Sequence, residues 1–544
     1  MKQVIVFLLS AAFSLSSLAQ TLDDIESKGK IANTPHNLTA SKATQSSKEL
    51  VLTDYSLCRS CHVPHKAKAV EPLWFRKGGV SSFEMDKALS GRDDHIHPLD
   101  PGSRSCLACH DGGLAPAFPH RNEELTGQVN LPTGDNQAPP NYNLHLFKFP
   151  SHGLEISPPD ESSALSGFSE NNEVGCITCH DPHNNERGNF LRVSNEGSAI
   201  CLECHDMQNW GQSTHGNPQN PLHAGLEEMA CNQCHEIHTM PANAKLLRTD
   251  ENSLCLGCHD GSSDAEHEVA SLLNLEETFE KPFTHPIRVN PDYSNMGYDS
   301  MEKTPWNYGL ADDRRVSCGD CHNPHAATQG MISPALDGSL AFMRGVDANG
   351  FSKSFADREY ELCYKCHGQN QNLSSGSDIS ALLNLSNRSF HPVETVGMSL
   401  NVPSLKADWS EQSLMTCSDC HGNDDPQGPK GPHGSSIPNI LKAAYTEAPF
   451  ASTSEMALCL TCHDQRIILG NDGFKFHRLH IERAGYSCSA CHNPHGSVEH
   501  VGLLDLDQMH ITSLAGVKAI EITEPGHGTC TLKCHDVTHN LEVY

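Results

Sequence analysis

The sequence predicts a chain of mostly irregular coil with short α-helices and almost no sheet, arranged as six tandem modules around something other than an apolar side-chain core. Three observations lead there. Of 544 residues only 37% are hydrophobic and 6% aromatic, against 41 Gly and 32 Pro, so a core for each of the three or four domains that the length suggests would be thin. Gly, Pro, Asn and Asp punctuate nearly every stretch and few segments hold a helical or strand period. The exceptions, SLLNL at 271–275 and ALLNL at 381–385, are expected short helices. Finally, one cysteine-histidine motif recurs from end to end, and a repeat decides architecture before local pattern does.

Residues 1–19 read as a secretory signal: Lys2 gives a positive start, Val4 to Leu18 an apolar run, and Ser17-Leu18-Ala19 a small-residue cleavage site. That run is shorter than the roughly 20 residues of a membrane span, and no later run approaches that length. The mature chain is expected to begin at Gln20, to have no transmembrane span, and to be secreted across the inner membrane as a periplasmic, outer-membrane-associated or extracellular protein. A net charge of −29 argues against nucleic acid or an anionic lipid surface as partner, since either calls for clustered Lys and Arg.

All 24 cysteines fall into twelve pairs, each followed at once by histidine. In chain order the pairs and their histidines begin with Cys58, Cys61, His62; Cys106, Cys109, His110; Cys176, Cys179, His180; and Cys201, Cys204, His205. Next come Cys231, Cys234, His235; Cys255, Cys258, His259; Cys318, Cys321, His322; and Cys363, Cys366, His367. The last four are Cys417, Cys420, His421; Cys459, Cys462, His463; Cys488, Cys491, His492; and Cys530, Cys534, His535. The first eleven are C-x-x-C-H, whereas the twelfth, CTLKCH, has one extra residue. Two thiols a short turn apart can form thioethers to the two vinyl groups of one haem, and the next residue then offers imidazole to the iron. Tetrahedral zinc, a redox dithiol or a disulfide framework gives no reason for that histidine. The expected cofactor is therefore twelve covalently attached haem c groups, the twelfth competing with a structural disulfide.

The motifs pair into six two-haem modules, expected over 20–135, 136–215, 216–270, 271–375, 376–470 and 471–544. The first motif of each is followed by a further histidine: His65, His183, His238, His325, His495 and, after an insertion, His433. Three residues span only about 10 Å even fully extended, so this histidine would have to round the macrocycle to reach its own iron. It is better placed to bind a neighbouring one, with proline limiting the turn. Twelve proximal histidines leave 23 others, enough for a distal histidine on every iron. The other six candidates lie upstream of each first motif: His36, His152, His223, His285, His391 and His480, with His97, His215 and His477 as rivals.

With TPHNL, CHVPH, PLWFRKG and CLACHDG in that order, and CHxPH paired with a later LCxxCH, the chain resembles multihaem c-type cytochromes of the doubled C-x-x-C-H class. These are found in periplasms, outer-membrane electron conduits and extracellular filaments. The resemblance implies low-potential bis-histidine haems, long-range electron transfer, and partners among other redox proteins, a porin-type conduit or extracellular acceptors. The insertion before His433 and the wide last motif depart from the pattern.

The leading expectation is an electron carrier in anaerobic or extracellular respiration, with no catalytic residues. The alternatives are a reductase of a small nitrogen or sulfur oxyanion, which needs an iron with an open position, and a self-assembling filament subunit. No irregular proximal ligand in the sequence supports the reductase.

Overall fold

The computed structural model describes residues 31, 34, 36–37, 58, 61–62, 82–84, 96–98, 101–107, 165–168, 174–207, 209–217, 230–235, 237, 247–261, 274–287, 316–333, 335–369, 378–399, 401–448, 450–470, 474–506, 511–524, 527–534 and 537–543. Two compact units divide the chain, one of residues 1–208 with 218–250, the other of 209–217 with 251–544.

Most of the described chain is coil, interrupted by helices of four to nine residues. They are α1 (Pro101–Leu107), α2 (Cys176–Cys179), α3 (Ala199–Leu202), α4 (Ala230–Cys234), α5 (Glu251–Leu256), α6 (Leu275–Phe279), α7 (Cys318–Cys321), α8 (Glu359–His367), α9 (Ile379–Leu383), α10 (Cys417–Cys420) and α11 (Gln465–Leu469). The helix expected at 381–385 is α9, shifted toward its amino end, and α6 starts where the one expected at 271–275 would stop. Asn274 sets that start by accepting the Glu277 backbone N–H at 2.9 Å, an N-cap bond. Such helices are too short to persist alone, so their contacts with one another hold them.

Two pairs of two-residue strands join stretches far apart in the chain. β1 (Phe283–Thr284) pairs antiparallel with β3 (Gly434–Ser435), and β2 (Ser389–Phe390) with β4 (Gly496–Ser497). Gly434 and Gly496 sit where nothing larger fits: a Cβ at Gly434 would lie 2.1 Å from the Thr278 carbonyl oxygen, and one at Gly496 1.9 Å from that of Leu382.

The expectation of almost no sheet fails at the carboxyl-terminal end. There β5 (Ile511–Thr512), β6 (Ala519–Glu524), β7 (His527–Cys534) and β8 (Val537–Val543) form a four-stranded antiparallel sheet with β7 at its centre. The local sequence explains it. Ile520, Ile522, Thr529, Thr531, Val537 and Val543 supply β-branched side chains, and Leu506, Ile511 and Leu532 close a small core beneath. The other apolar clusters are equally small, such as Leu336, Met343, Ala356 and Leu362, or Tyr360, Tyr364, Leu383 and Val393. Among the described residues no helix is long and apolar enough to cross a membrane.

Candidate functional site

Among the described residues, ten motifs are built on one helical turn. The histidine N–H donates to the carbonyl of the first cysteine at 2.9–3.1 Å in the turns ending at His62, His180, His205, His235, His259, His322, His421, His463 and His492, and His367 closes α8. A turn of this kind puts the two cysteines, three residues apart, on one face with the histidine beside them. In α7 and α10 the third motif residue secures the turn: Asp320 and Asp419 accept the backbone N–H of Ser317 at 2.8 Å and of Thr416 at 2.7 Å. Cys530 and Cys534 depart from this. They lie on β7, where four residues span about 13 Å, so a local bend is needed before both thiols meet one macrocycle.

The proximal imidazoles are oriented from behind. Nδ1 of His180, His322, His421 and His492 bonds the carbonyls of Asn189 (2.8 Å), Ser339 (2.9 Å), Asn439 (2.8 Å) and Gly502 (2.7 Å), which leaves Nε2 for a metal. The loop residues that bring up three of these carbonyls are left-handed: Asn189 and Phe190, Asn439 and Ile440, Gly502 and Leu503 all have φ between 46° and 66°. For the non-glycines this is strain held by the surrounding contacts.

The histidines after the motifs are turned away from their own cysteines. Asp181, Asn323 and Asn493 accept the backbone N–H of His183 (2.9 Å), His325 (3.1 Å) and His495 (3.1 Å) in Asx turns. His183, His495 and the inserted His433 each meet a different motif. His183 stacks opposite His62 with ring centroids 6.0 Å apart, His433 opposite His322 at 6.0 Å, and His495 opposite His421 at 6.3 Å and 3° from parallel. Three upstream histidines do the same: His215 faces His259 at 6.3 Å, His285 faces His367 at 6.5 Å and His477 faces His492 at 6.3 Å. Two imidazoles bound to one metal through bonds of about 2 Å would have centroids roughly 6 Å apart, so these pairs fit a haem iron between them.

Electrostatics favour the ligating form. Burial pushes the imidazoles of His433, His495, His477 and His463 down to about 4, with the facing His322, His421, His492 and the nearby His391 as second cause. His259, His285, His367, His391 and His492 are also lowered, again chiefly by burial. A neutral ring keeps the lone pair that a metal needs.

Of the remaining predicted residues, His36 stacks on Phe190 at 4.2 Å and its Nδ1 lies 3.3 Å from the Pro182 carbonyl. His480 faces His539 at 6.3 Å. Cys109, His65, His110, His152, His223, His238 and His535 lie outside the described residues.

The sequence reading missed how motifs dock. The N–H of the first cysteine in the third, fifth, seventh and eleventh motifs donates to the side chain three residues before the preceding motif: Cys176 to Ser103 Oγ, Cys231 to Ser198 Oγ and Cys318 to Asn252 Oδ1, all 2.9 Å, and Cys488 to Met456 Sδ at 3.0 Å. In the ninth motif Ser418 N–H and Oγ–H donate to Glu359 at 2.7 Å each. These bonds satisfy orphan donors of a helix start, and the legible signal was the residue three before the second, fourth, sixth and tenth motifs and four before the eighth. The docks bring the thiols of Cys201 and Cys231, Cys363 and Cys417, and Cys459 and Cys488 into hydrogen-bond contact, so macrocycles attached there would be neighbours. Glu359, Cys363 and Cys417 could by their closeness hold a metal ion, but Glu359 is already engaged by Ser418.

Residues 170–209 and 223–264 match the doubled C-x-x-C-H motif family, and residues 317–510 match the outer membrane cytochrome MtrC/MtrF-like family, domains II/IV. The chain is a multihaem c-type cytochrome. This cytochrome is 22% identical over 240 residues to the multiheme cytochrome MtrA of Shewanella baltica, covering 42% of the chain and 49% of that protein. It thus spans about half the length of that relative. No solved structure matches it.

Proposed function

We propose that this cytochrome carries electrons along a row of low-potential bis-histidine haems, on the outer-membrane or extracellular side of the cell, exchanging them with other redox proteins of a conduit. The imidazole pairs 6.0–6.5 Å apart carry the reading, because histidine on both faces leaves no open iron and sets a low potential. His36, His183, His215, His285, His325, His391, His433, His477 and His495 are the described members of the distal set we favour, and His65, His152 and His238 enter from the sequence repeat alone, with His223 and His480 as the sequence-based alternatives. When bound, haem supplies the redox couple. The chain's own residues hold it by thioethers, orient the proximal rings through backbone carbonyls, and keep the distal rings neutral by burial.

The eleven C-x-x-C-H motifs support eleven haems on their own, and the twelfth rests on CTLKCH alone. Two measurements on the haem-loaded protein test the proposal. Haem counting by mass should give twelve, and a drop by one in C530S/C534S would assign the last. Paramagnetic resonance of the oxidised protein should show low-spin irons throughout, with no spectral change on adding carbon monoxide to the reduced form. Several high-spin irons would refute the pure carrier and turn attention to the reductase.

A further inference from the structure

Taking bis-histidine ligation as its basis, a regularity links several pairs of motifs to the next. Opposite His322, from the seventh motif, stands His433, which follows the ninth. The carbonyl of the adjoining Pro432 takes Nδ1 of His285 at 2.7 Å, and His285 faces His367 of the eighth motif. One dipeptide, Pro432-His433, thus meets both proximal rings of the preceding pair, one with its own imidazole and one by orienting another. The arrangement recurs. His495 faces His421 while Pro494 bonds Nδ1 of His391, which neighbours His463. Likewise His183 faces His62 while Pro182 bonds His36, and Pro324 bonds His215, which faces His259.

We propose that the Pro-His dipeptide after the third, ninth and eleventh motifs completes both haem irons of the pair of motifs before it, so that ligation there runs one step out of register with the sequence repeat. Proline fixes its own φ and keeps the residue before it extended, so carbonyl and imidazole leave the dipeptide in set directions. The strand pairs β1 with β3 and β2 with β4 clamp the upstream histidine against it. The ninth motif is the strongest support. Its insertion separates His421 from His433 by twelve positions where His492 and His495 are three apart, yet the Pro-His dipeptide arrives in the same place. A donated Nδ1–H makes the ligand more basic, so the proline carbonyl tunes an iron that its own histidine does not touch.

The test uses full-length, haem-loaded protein. His495→Ala should create one high-spin iron. In a C417S/C420S background, which lacks the haem of the ninth motif, the same substitution should create none, whereas in C488S/C491S the signal should persist. A signal that disappears only in C488S/C491S, or no high-spin iron at all in H495A, overturns the register. If H495A loads haem poorly, His495→Met keeps six ligands and should raise one potential, with the same dependence on the two backgrounds. Pro494→Gly, which keeps the carbonyl but frees its direction, should leave every iron low-spin and raise the potential of the haem on Cys459 and Cys462; an unchanged potential would remove the proline's role in aiming that carbonyl. High-spin irons in the unmodified protein would instead sink bis-histidine ligation itself, before any variant is made.

Discussion

Gly434→Ala should open the site around His285 without touching a ligand. A Cβ there would lie 2.1 Å from the Thr278 carbonyl oxygen and 2.9 Å from Thr284 Cγ2, so β3 must move by about 1 Å to reach ordinary contact. Overpacking of this kind costs about 1–3 kcal/mol, and loss of a hydrogen bond between β1 and β3 about 1 more. A total of about 3 kcal/mol is roughly a hundredfold shift toward the locally open state. Native-state hydrogen exchange would register it as faster exchange over 278–285 and 431–436, and paramagnetic resonance as disturbed ligation of one or two irons. Gly397→Ala is the control, because its Cβ would meet nothing nearer than Pro392 Cβ at 3.9 Å. Wild-type exchange and spectra in G434A would refute the claim that this close strand approach positions the ligand.

The docking side chains should differ in weight. Asn252 accepts from Cys318 and donates to the carbonyls of Ile287 at 2.7 Å and Val316 at 3.2 Å, so Asn252→Ala should cost about 2–3 kcal/mol in denaturant titration. Ser198→Ala, which loses one cap bond, should cost about 1 kcal/mol. A third prediction concerns pH. The buried Glu394 accepts the Tyr364 hydroxyl at 2.7 Å, and burial raises its carboxyl. A group that holds its proton more tightly when folded removes stability as pH rises from its unfolded value of about 4.3 through the folded one. Glu394→Gln keeps an acceptor for Tyr364 and loses the charge, so its thermal midpoint should exceed wild type at pH 7 and the gap should close by pH 4. A gap that does not change with pH would refute the assignment.

The sequence by itself determined the chemistry. Cysteine spacing and the adjoining histidine are local, so one turn of helix realises them wherever the chain goes, as the shared bond from histidine N–H to cysteine carbonyl shows. The short tether likewise showed that His183 and His495 could not comfortably serve their own irons, and the structure faces each toward another motif. The carboxyl-terminal sheet was partly written in its β-branched strands, but a motif assumed to be helical hid it. What only the tertiary structure decided is which histidine meets which. His215 and His223, or His477 and His480, are equivalent as sequence, because upstream tethers of many residues allow either to reach. Packing chose His477 opposite His492 and His215 opposite His259. The docks between successive motifs and the proline carbonyls that orient distant rings depend on contacts spanning 32 to 147 positions, which no local pattern encodes.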